Sequence, residues 1–308
     1  MGFKILITPR SFGKEDPKPF ELLKEQGYEI VVNPYGRIMT EPEMVEAVKD
    51  VDAVILGVDP MNKKVIDAAG KLKVISKYGV GTDNIDVPYA QSKGIAVTRT
   101  VGANSDAVAD YAFALMLAVA RKVVLIDKEC RKLNWSKISS IEMYHKKMGI
   151  IGLGNIGKGI AKRASGFDMK VYAYDVFKDD QFIKEHNIEF TSIETIIKEC
   201  DFISLHLPLT PETRNLISYD QFKAMKNTAI IVNTSRGGVI DEEALLWALQ
   251  NNVIYGAGID VFEKEPPEQI KLLELDNIIV GSHCAASTVE AVNNMGIKAS
   301  ENVIANLT

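Results

Sequence analysis

Residues 148–157 read MGIIGLGNIG, and this short segment indicates the fold more strongly than any other part of the chain. An apolar run leads into three glycines with the spacing G-x-G-x-x-G, and a helical pattern follows. At these positions Gly152 permits a tight turn, Gly154 lets the backbone approach a pyrophosphate, and Gly157 lets the helix pack close to the strand. The helix N-terminus would present N–H groups to the phosphates. The segment therefore predicts a dinucleotide-binding βαβ unit.

An acidic residue strengthens this interpretation, because three glycines at that spacing would occur by chance in roughly one such chain in ten. The next apolar run, residues 171–174, ends at Asp175, eighteen residues after Gly157. An acidic residue about 20 residues beyond the glycines is placed to bind the ribose hydroxyls of a dinucleotide. The carboxylate would also repel a 2′-phosphate. We therefore expect NAD rather than NADP as the cofactor.

Short apolar runs alternate with helical patterns on both sides of this segment, which is typical of parallel sheets built from βαβ units. Helices in the first hundred residues are predicted to start near Lys18, Glu41, Asn62 and Val87, and the later ones to span Asn155–Ser165, Ile193–Glu199, Tyr219–Met225, Glu242–Gln250 and Thr288–Leu307. The predicted strands are Lys4–Thr8, Glu29–Val32, Ala53–Gly57, Val74–Lys77, Ala96–Thr98, Gly149–Gly152, Lys170–Tyr174, Phe202–His206, Ala229–Asn233, Tyr255–Ile259 and Ile278–Val280.

Between the two alternating regions, the pattern predicts one long helix over Ser105–Leu133. Its central part, Ala112–Ala120, is apolar around most of the helix girth. Such a helix is buried rather than surface-lying. We therefore expect it to lie between domains or in a subunit interface.

Composition narrows the class of protein. A chain of 308 residues is long enough for two domains of ordinary size. Its net charge of -5 makes nucleic acid or an anionic membrane surface an unexpected main partner. The run Ala112–Ala120 is far shorter than the roughly 20 residues of a membrane span. Three scattered cysteines, Cys130, Cys200 and Cys284, indicate reduced thiols in the cytoplasm and no metal site.

Three reactive side chains follow successive predicted strands near the C-terminal half, namely Arg236, Glu265 and His283. Ligands of open parallel sheets bind beyond the carboxyl ends of the strands, so these residues can converge on one site. A histidine can give or take a proton near neutral pH, and a neighbouring carboxylate can hold one tautomer of its ring. A guanidinium can clamp a carboxylate at two points. The three types suit reduction of a 2-keto acid by hydride.

A single histidine after a strand is more often structural than catalytic, so the joint placement of the three residues carries the hypothesis. His206 also ends a predicted strand, before Leu207 and Pro208. We rank it below His283 as an acid and expect it to line the cofactor site.

Several motifs in order resemble the D-isomer-specific 2-hydroxyacid dehydrogenases. They are Gly152–Gly157, His206–Thr213, Asn233–Asp241, Asp260–Pro266 and His283. The resemblance runs nearly end to end. It implies two doubly wound parallel-sheet domains with the cofactor between them, a Rossmann NAD domain (residues 101–283) being inserted in a flavodoxin-like substrate domain (residues 1–100 and 284–308).

The resemblance also implies residue roles. Arg236, Glu265 and His283 would be catalytic, with the histidine as acid/base and the glutamate as its partner. The helix over residues 105–133 would form a homodimer. Cofactor contacts, besides the three glycines, would fall on Asn155, Ile156, Asp175, His206, Leu207, Pro208, Thr213, Thr234, Ser235 and Asp260, the last near the nicotinamide amide.

In the first domain, residues 77–86 resemble the substrate loop of the family. Backbone N–H groups would hold the substrate carboxylate there, which requires small residues in the loop. Together with Arg236, the substrate residues would be Lys77, Tyr78, Gly79, Val80 and Gly81.

The exact acid stays open at this level. In pattern and length the chain is nearest to the phosphoglycerate dehydrogenases, which often carry arginine where Lys77 lies. No arginine occurs in Leu56–Asp59 either, so 3-phosphoglycerate, hydroxypyruvate, glyoxylate and a lactate-like acid are all candidates. Glu265 disfavours a formate-type relative, which would carry glutamine. A non-enzymatic, NAD-responsive protein like the transcriptional corepressors of this fold is the alternative from another class.

Overall fold

A computed structural model describes residues 2–307 of the chain. The chain divides into two compact units. The first runs up to Asn104 and resumes at Ser287, and the second is Ser105–Ala286. Both are parallel α/β structures, which confirms the predicted fold class.

The first unit contains a five-stranded sheet in the order β2-β1-β3-β4-β5, with every strand pair parallel. This order is that of flavodoxin-like doubly wound sheets. Its elements before Asn104 are β1 (Lys4–Ile7), α1 (Lys18–Glu25), β2 (Glu29–Val32), α2 (Glu41–Ala47), β3 (Ala53–Leu56), α3 (Lys63–Ala68), β4 (Val74–Lys77), α4 (Val87–Ser92) and β5 (Ala96–Arg99).

Both faces of this sheet are covered, which explains why every residue of β3 and β4 is buried and why β3 reads as an unbroken apolar run. On one face Ile5 and Ile55 pack with Val303 of the C-terminal helix. On the other, Leu6 and Val54 pack with side chains of α2, α3 and α4.

The second unit contains a seven-stranded sheet in the order β12-β11-β10-β9-β6-β7-β8. Strand β6 lies between β7 and β9, so the winding reverses beside it, and this is where ligands bind in open α/β sheets. The elements of the second unit are α5 (Ser105–Ala120), α6 (Val123–Arg131), β6 (Lys147–Ile151), α7 (Asn155–Ser165), β7 (Lys170–Tyr174), α8 (Asp180–Glu185), β8 (Glu189–Phe190), α9 (Ile193–Glu199), β9 (Phe202–Leu205), α10 (Tyr219–Ala224), β10 (Ile230–Asn233), α11 (Glu242–Gln250), β11 (Gly256–Ile259), α12 (Ile270–Leu273) and β12 (Ile278–Val280). The last helix, α13 (Val289–Leu307), belongs to the first unit.

The prediction of one helix over Ser105–Leu133 was wrong. The helix ends at Ala120, and Lys122 adopts a left-handed conformation (φ 52°) before α6 begins. Helix α5 buries eight residues and packs against α7, β10 and β11 of its own unit, whereas α6 buries none. The apolar run stops at Arg121, where the chain leaves the core. Val123 and Val124 made the helical pattern look continuous in the sequence, but they belong to α6.

All eleven predicted strands are present, with ends that differ by two residues at most. The sequence interpretation missed β8, α8 and α12, which are too short to show a clear period. Within residues 2–307, none of the helices combines the length and the apolar character needed to cross a membrane.

Candidate active site

The three glycines of the loop after β6 differ in the space that surrounds them. A Cβ on Gly157 would overlap the Gly152 carbonyl, and one on Gly152 would overlap the carbonyl of His206. Gly152 also has a φ of 100°, which side chains rarely adopt. By contrast, a Cβ on Gly154 would meet no atom of the described part of the chain within 4 Å. The protein itself does not require glycine at position 154, so the open space in front of it fits a pyrophosphate against the backbone.

The start of α7 also fits a phosphate group. Gly154 is the N-cap of this helix and supplies no side-chain acceptor to the first-turn N–H groups. Asn155 is exposed and Ile156 is half-buried at the first two helical positions. An eleven-residue helix beginning in this way directs unpaired N–H groups and the positive end of its dipole toward an anion.

Asp175 lies directly beyond β7 and holds this loop from the side. Its Oδ2 accepts the N–H of Leu153 at 2.6 Å, and its Oδ1 accepts the N–H of Phe177 at 2.9 Å. Each carboxylate oxygen has a second lone pair. Asp175 can therefore brace the glycine loop and still accept a ribose hydroxyl.

Two buried polar atoms at the ends of β9 and β10 have no hydrogen-bond partner among residues 2–307. They are Nδ1 of His206 and Oγ1 of Thr234. Nε2 of His206 pairs with Ser204 Oγ at 2.9 Å, and burial lowers the pKa of His206 to about 3, so its ring is neutral. Buried polar groups without partners are rare in folded proteins. These two atoms fit a polar ligand along the strand ends.

The turn after His206 is closed by its own side chains. Thr213 donates its hydroxyl to the Pro208 carbonyl at 2.7 Å and accepts the N–H of Thr210 at 2.8 Å. Leu207 is half-buried beside it. The predicted cofactor residue Thr213 thus shapes the turn that presents Leu207 and Pro208.

The loop carrying Arg236 is organised by Asn233, which the sequence interpretation did not single out. The Asn233 side chain accepts the N–H and the hydroxyl of Ser235 at 3.0 and 2.7 Å and donates to the Arg236 carbonyl at 2.9 Å. An asparagine that ends a strand, with a serine two residues later as in an Asx turn, was the signal for this role. Gly237 then lies against the backbone of Phe262, leaving no room for a Cβ. This brings the loop after β10 against the loop after β11.

His283 and Glu265 form a direct pair. Nδ1 of His283 lies 3.0 Å from Oε2 of Glu265, while Oε1 of the same carboxylate accepts the N–H of Phe262 at 3.2 Å. One carboxylate oxygen therefore anchors Glu265 to its own loop and the other orients the imidazole. The side chains of His283 and Glu265 are 45% and 40% exposed, so both can reach a ligand.

Asp260, predicted near the nicotinamide amide, lies beneath the His283 loop with its side chain fully buried. Its oxygens accept the N–H groups of Cys284 and Ala285 at 3.0 and 2.9 Å, and its carbonyl accepts the N–H of His283 at 2.8 Å. These three bonds hold His283 in a left-handed conformation with a φ of 56°. That conformation costs roughly 1 kcal/mol or more and needs such support.

The predicted substrate loop belongs to the first unit. Lys77 is only 6% exposed, and its ammonium donates to the carbonyl of Gly57 and, at 3.0 Å, to Oδ1 of Asn84. The N–H of Gly79 donates to Oγ1 of Thr100 at 2.9 Å.

The rest of this loop differs in exposure. The Tyr78 hydroxyl donates to the carbonyl of Val292 at 2.9 Å, and burial raises the pKa of Tyr78. Val80 is exposed, and Gly81 is half-buried. Among the five predicted substrate residues, Val80 and Gly81 are therefore those whose backbones remain for a ligand.

Among the described residues, no group of three or more histidine, cysteine or acidic side chains is arranged to hold a metal.

Comparison with known proteins identifies the family that this chain is similar to. Residues 113–285 match the model for "D-isomer specific 2-hydroxyacid dehydrogenase, NAD binding domain". The chain is 41% identical over 312 residues to a glyoxylate reductase of Thermococcus litoralis, covering 98% of this chain and 93% of the relative. It is 41% identical over 275 residues to a hydroxypyruvate reductase of Thermotoga maritima, covering 87% and 89%.

A phosphoglycerate dehydrogenase is similar over a shorter part of its length. The D-3-phosphoglycerate dehydrogenase of Methanocaldococcus jannaschii is 42% identical over 269 residues, which cover 86% of this chain but 51% of the relative. Among solved structures, D-lactate dehydrogenase from Aquifex aeolicus in complex with NAD and lactic acid superimposes with a TM-score of 0.86 and 31% identity, covering 98% and 95% of the two chains.

Proposed function

Because the chain belongs to the D-isomer-specific 2-hydroxyacid dehydrogenase family, we propose that it reduces a short, unphosphorylated 2-keto acid, with glyoxylate and hydroxypyruvate as the first candidates. The chain is an NAD-dependent oxidoreductase that moves a hydride between nicotinamide and a small D-2-hydroxy acid or its keto acid. The observation that carries the catalytic assignment is the 3.0 Å pairing of His283 with Glu265.

His283 is the proposed acid. Its Nδ1 faces Glu265, so a proton on Nδ1 is held by the carboxylate and Nε2 is left for the substrate. Protonated His283 donates from Nε2 to the keto oxygen during reduction, and neutral His283 takes the hydroxyl proton in the reverse direction. Glu265 keeps the ring in place and stabilises the imidazolium, much as the carboxylate does in other acid–base pairs.

Arg236 is the proposed clamp for the substrate carboxylate. Asn233 and the close packing of Gly237 on Phe262 fix the backbone on both sides of this arginine. A guanidinium offers two parallel N–H donors to a carboxylate and raises the electrophilicity of a nearby keto group. A lysine would match this planar arrangement less well.

The second unit holds the proposed cofactor site. When bound, the nicotinamide supplies or accepts the hydride. The N–H groups at Asn155 and Ile156 and the space at Gly154 suit the pyrophosphate, and Asp175 suits the ribose hydroxyls. The unpartnered atoms of His206 and Thr234 suit polar groups of the cofactor, with Leu207, Pro208 and Ser235 lining the same strand ends.

We assign cofactor binding to Ser105–Ala286, which also carries the proposed substrate clamp Arg236, and further substrate contacts to the first unit, residues up to Asn104 with Ser287 onward. The N–H groups of Val80 and Gly81 are the proposed donors to the substrate. Asp260 acts through the His283 loop in this assignment rather than through the cofactor, because its carboxylate is buried and accepts backbone donors.

Lys77 supports an unphosphorylated substrate. The ammonium of Lys77 is buried against Gly57 and Asn84, so this lysine does not offer an exposed charge to a substrate phosphate. The names of the glyoxylate and hydroxypyruvate reductases that the chain resembles point the same way.

We propose that the protein is a homodimer and that it is located in the cytoplasm. Around α6 the structure leaves apolar side chains uncovered, including Val123 at 53%, Leu133 at 87% and Trp135 at 78% exposure. An apolar surface of this kind marks an interface, and we propose a second copy of the chain as the occupant. Sedimentation velocity should give twice the chain mass for the wild type and the chain mass for Trp135→Glu. A monomeric wild type would contradict the dimer.

The test of the proposed activity is NADH oxidation with a panel of 2-keto acids. The panel includes glyoxylate, hydroxypyruvate, phosphohydroxypyruvate and pyruvate, with NADPH as a parallel cofactor. The proposal expects the highest kcat/KM with NADH and an unphosphorylated acid of two or three carbons. Preference for phosphohydroxypyruvate would overturn the substrate assignment. Tight NADH binding without turnover of any acid would overturn the enzymatic one.

A further inference from the structure

Three polar side chains meet beneath the loop that carries His283. They are the carboxylate of Asp260, the thiol of Cys284 and the hydroxyl of Tyr111 from α5. The Cys284 thiol donates to the Tyr111 hydroxyl over 3.4 Å and lies 3.6 Å from Oδ1 of Asp260. All three belong to the second unit.

Gly281 shows how tightly this cluster is packed under the loop. A Cβ on Gly281 would lie 2.7 Å from the Tyr111 hydroxyl and would overlap Oδ1 of Asp260. The backbone at Gly281 therefore rests directly on Tyr111 and Asp260. Cys284, three residues later, is bonded to the same two side chains. His283 lies between these two anchor points.

The conformation of His283 makes the anchors necessary. Its φ of 56° is unfavourable for a residue with a Cβ, so the loop would relax if its supports were weakened. Relaxation by a fraction of an ångström would move the ring away from Oε2 of Glu265. Burial, the Cys284 bond and the Asp260 charge all raise the pKa of Tyr111, so this hydroxyl keeps its proton and remains a neutral partner in the cluster.

We propose that Tyr111 is a positioning residue for the catalytic acid, acting through Cys284 and Gly281 to hold the Gly281–Ala285 loop so that His283 meets Glu265. This inference rests on the proposed role of His283. In this inference Tyr111 does not contact the substrate or the cofactor. Asp260 supports the loop through backbone bonds, and Tyr111 closes the cluster from the side of α5.

The test compares Tyr111→Phe with the wild type in full-length protein. Removing the hydroxyl should lower kcat roughly tenfold, because small misplacements of catalytic groups cost about that much or more. The Kd of NADH should change by less than about twofold, since the cofactor contacts are elsewhere. Hydrogen exchange in the peptide that contains Cys284 and Ala285 should become faster, because their N–H groups depend on the same cluster.

A second substitution separates positioning from general structural damage. In a His283→Ala background, Tyr111→Phe should have no further effect on residual turnover, because the group that it positions is gone. An equal loss in both backgrounds would overturn the inference. Cys284→Ala should reproduce the kcat loss by removing the same bond from the other side, and it provides the test if Tyr111→Phe does not fold.

Tyr255→Phe is the matched control, since the Tyr255 hydroxyl bonds the carbonyl of Ala120 at the other end of α5. It should leave kcat and loop exchange unchanged. Wild-type kcat and exchange in Tyr111→Phe would refute the inference while leaving the proposed function intact. Full activity of His283→Ala would instead refute the proposed role of His283 as the acid, and this inference would fall with it.

Discussion

Nδ1 of His283 lies 3.0 Å from Oε2 of Glu265, although 18 residues separate the two in the chain. The residues follow β12 and β11, which are neighbours in the seven-stranded parallel sheet. Parallel strands end at the same edge of a sheet, so loops after adjacent strands can exchange side-chain contacts there. The pair is thus a consequence of topology, completed by the left-handed turn at His283.

The geometry of the glycine loop predicts that alanine at position 154 weakens NADH binding, whereas alanine at position 157 lowers the stability of the fold. Gly154→Ala adds a Cβ to open space in an extended backbone, so it should change the free energy of unfolding by only about 0.5 kcal/mol. It should nevertheless weaken NADH binding at least roughly tenfold, or about 1.4 kcal/mol. Gly157→Ala should instead destabilise the fold by about 3 kcal/mol, because its Cβ overlaps the Gly152 carbonyl. Denaturant titrations and NADH fluorescence measure both quantities, and equal destabilisation by the two substitutions would contradict this interpretation.

Asp175 should set the choice between the two nicotinamide cofactors. Asp175→Asn keeps an acceptor for the N–H of Leu153 but removes the charge that opposes a 2′-phosphate. We expect the NADH-to-NADPH ratio of kcat/KM to fall roughly tenfold, a difference of about 1.4 kcal/mol. The measurement is initial rates with each cofactor at one keto acid concentration. A ratio equal to that of the wild type would show that other residues select the cofactor.

The desolvated ring of His206, a half-buried residue, predicts a loss of stability in mild acid. Burial lowers its pKa to about 3 in the folded state, against about 6.5 in an unfolded chain. The contribution of the neutral ring is present above pH 6.5 and is lost progressively as pH falls toward 3, because the unfolded chain takes up the proton first. At pH 5 the loss should be about 2 kcal/mol.

His206→Gln should therefore flatten the pH dependence of the unfolding free energy between pH 7 and 5. Urea titrations of the cofactor-free protein at several pH values measure this dependence. Parallel curves for the two proteins would contradict the assignment of a neutral, desolvated ring to His206.

Lys77 should matter for stability and not for the choice of acid. Lys77→Met leaves the carbonyl of Gly57 and Oδ1 of Asn84 without this donor, which should destabilise the fold by about 1–3 kcal/mol. The exposed Lys64, which pairs with Glu41, provides the control: Lys64→Met should cost about 0.5 kcal/mol or less. The kcat/KM ratio of hydroxypyruvate to phosphohydroxypyruvate should change by less than about twofold in both variants. A large shift of that ratio in Lys77→Met alone would return Lys77 to the substrate site.

Much of the architecture could be predicted because the relevant signals are local. Apolar runs of four or five residues located the buried strands, and the glycine spacing located the loop after β6. The order of reactive residues after strands was enough to predict that Glu265 and His283 could meet. Helix α7 begins and ends at the predicted residues, since Gly154 and Gly166 bound it.

What the sequence could not provide depends on contacts between distant segments. A lysine that ends a strand resembles a ligand-binding cation, and only the folded chain brings Gly57 and Asn84 around its ammonium. In the same way, only the folded chain shows that the Asp260 carboxylate accepts the N–H of Cys284. The break at Lys122 has no proline or glycine to mark it, because it arises where the core ends.

The most direct test of the central claim, that His283 donates the proton, is single-turnover reduction of glyoxylate or hydroxypyruvate by preloaded NADH. His283→Ala should slow NADH oxidation by at least roughly 100-fold, the usual contribution of a positioned acid. Its Kd for NADH should remain within about twofold of the wild type, and His186→Ala, just after α8, should react like the wild type. A wild-type rate in His283→Ala would contradict the claim and leave the 3.0 Å pair with Glu265 as a structural contact only.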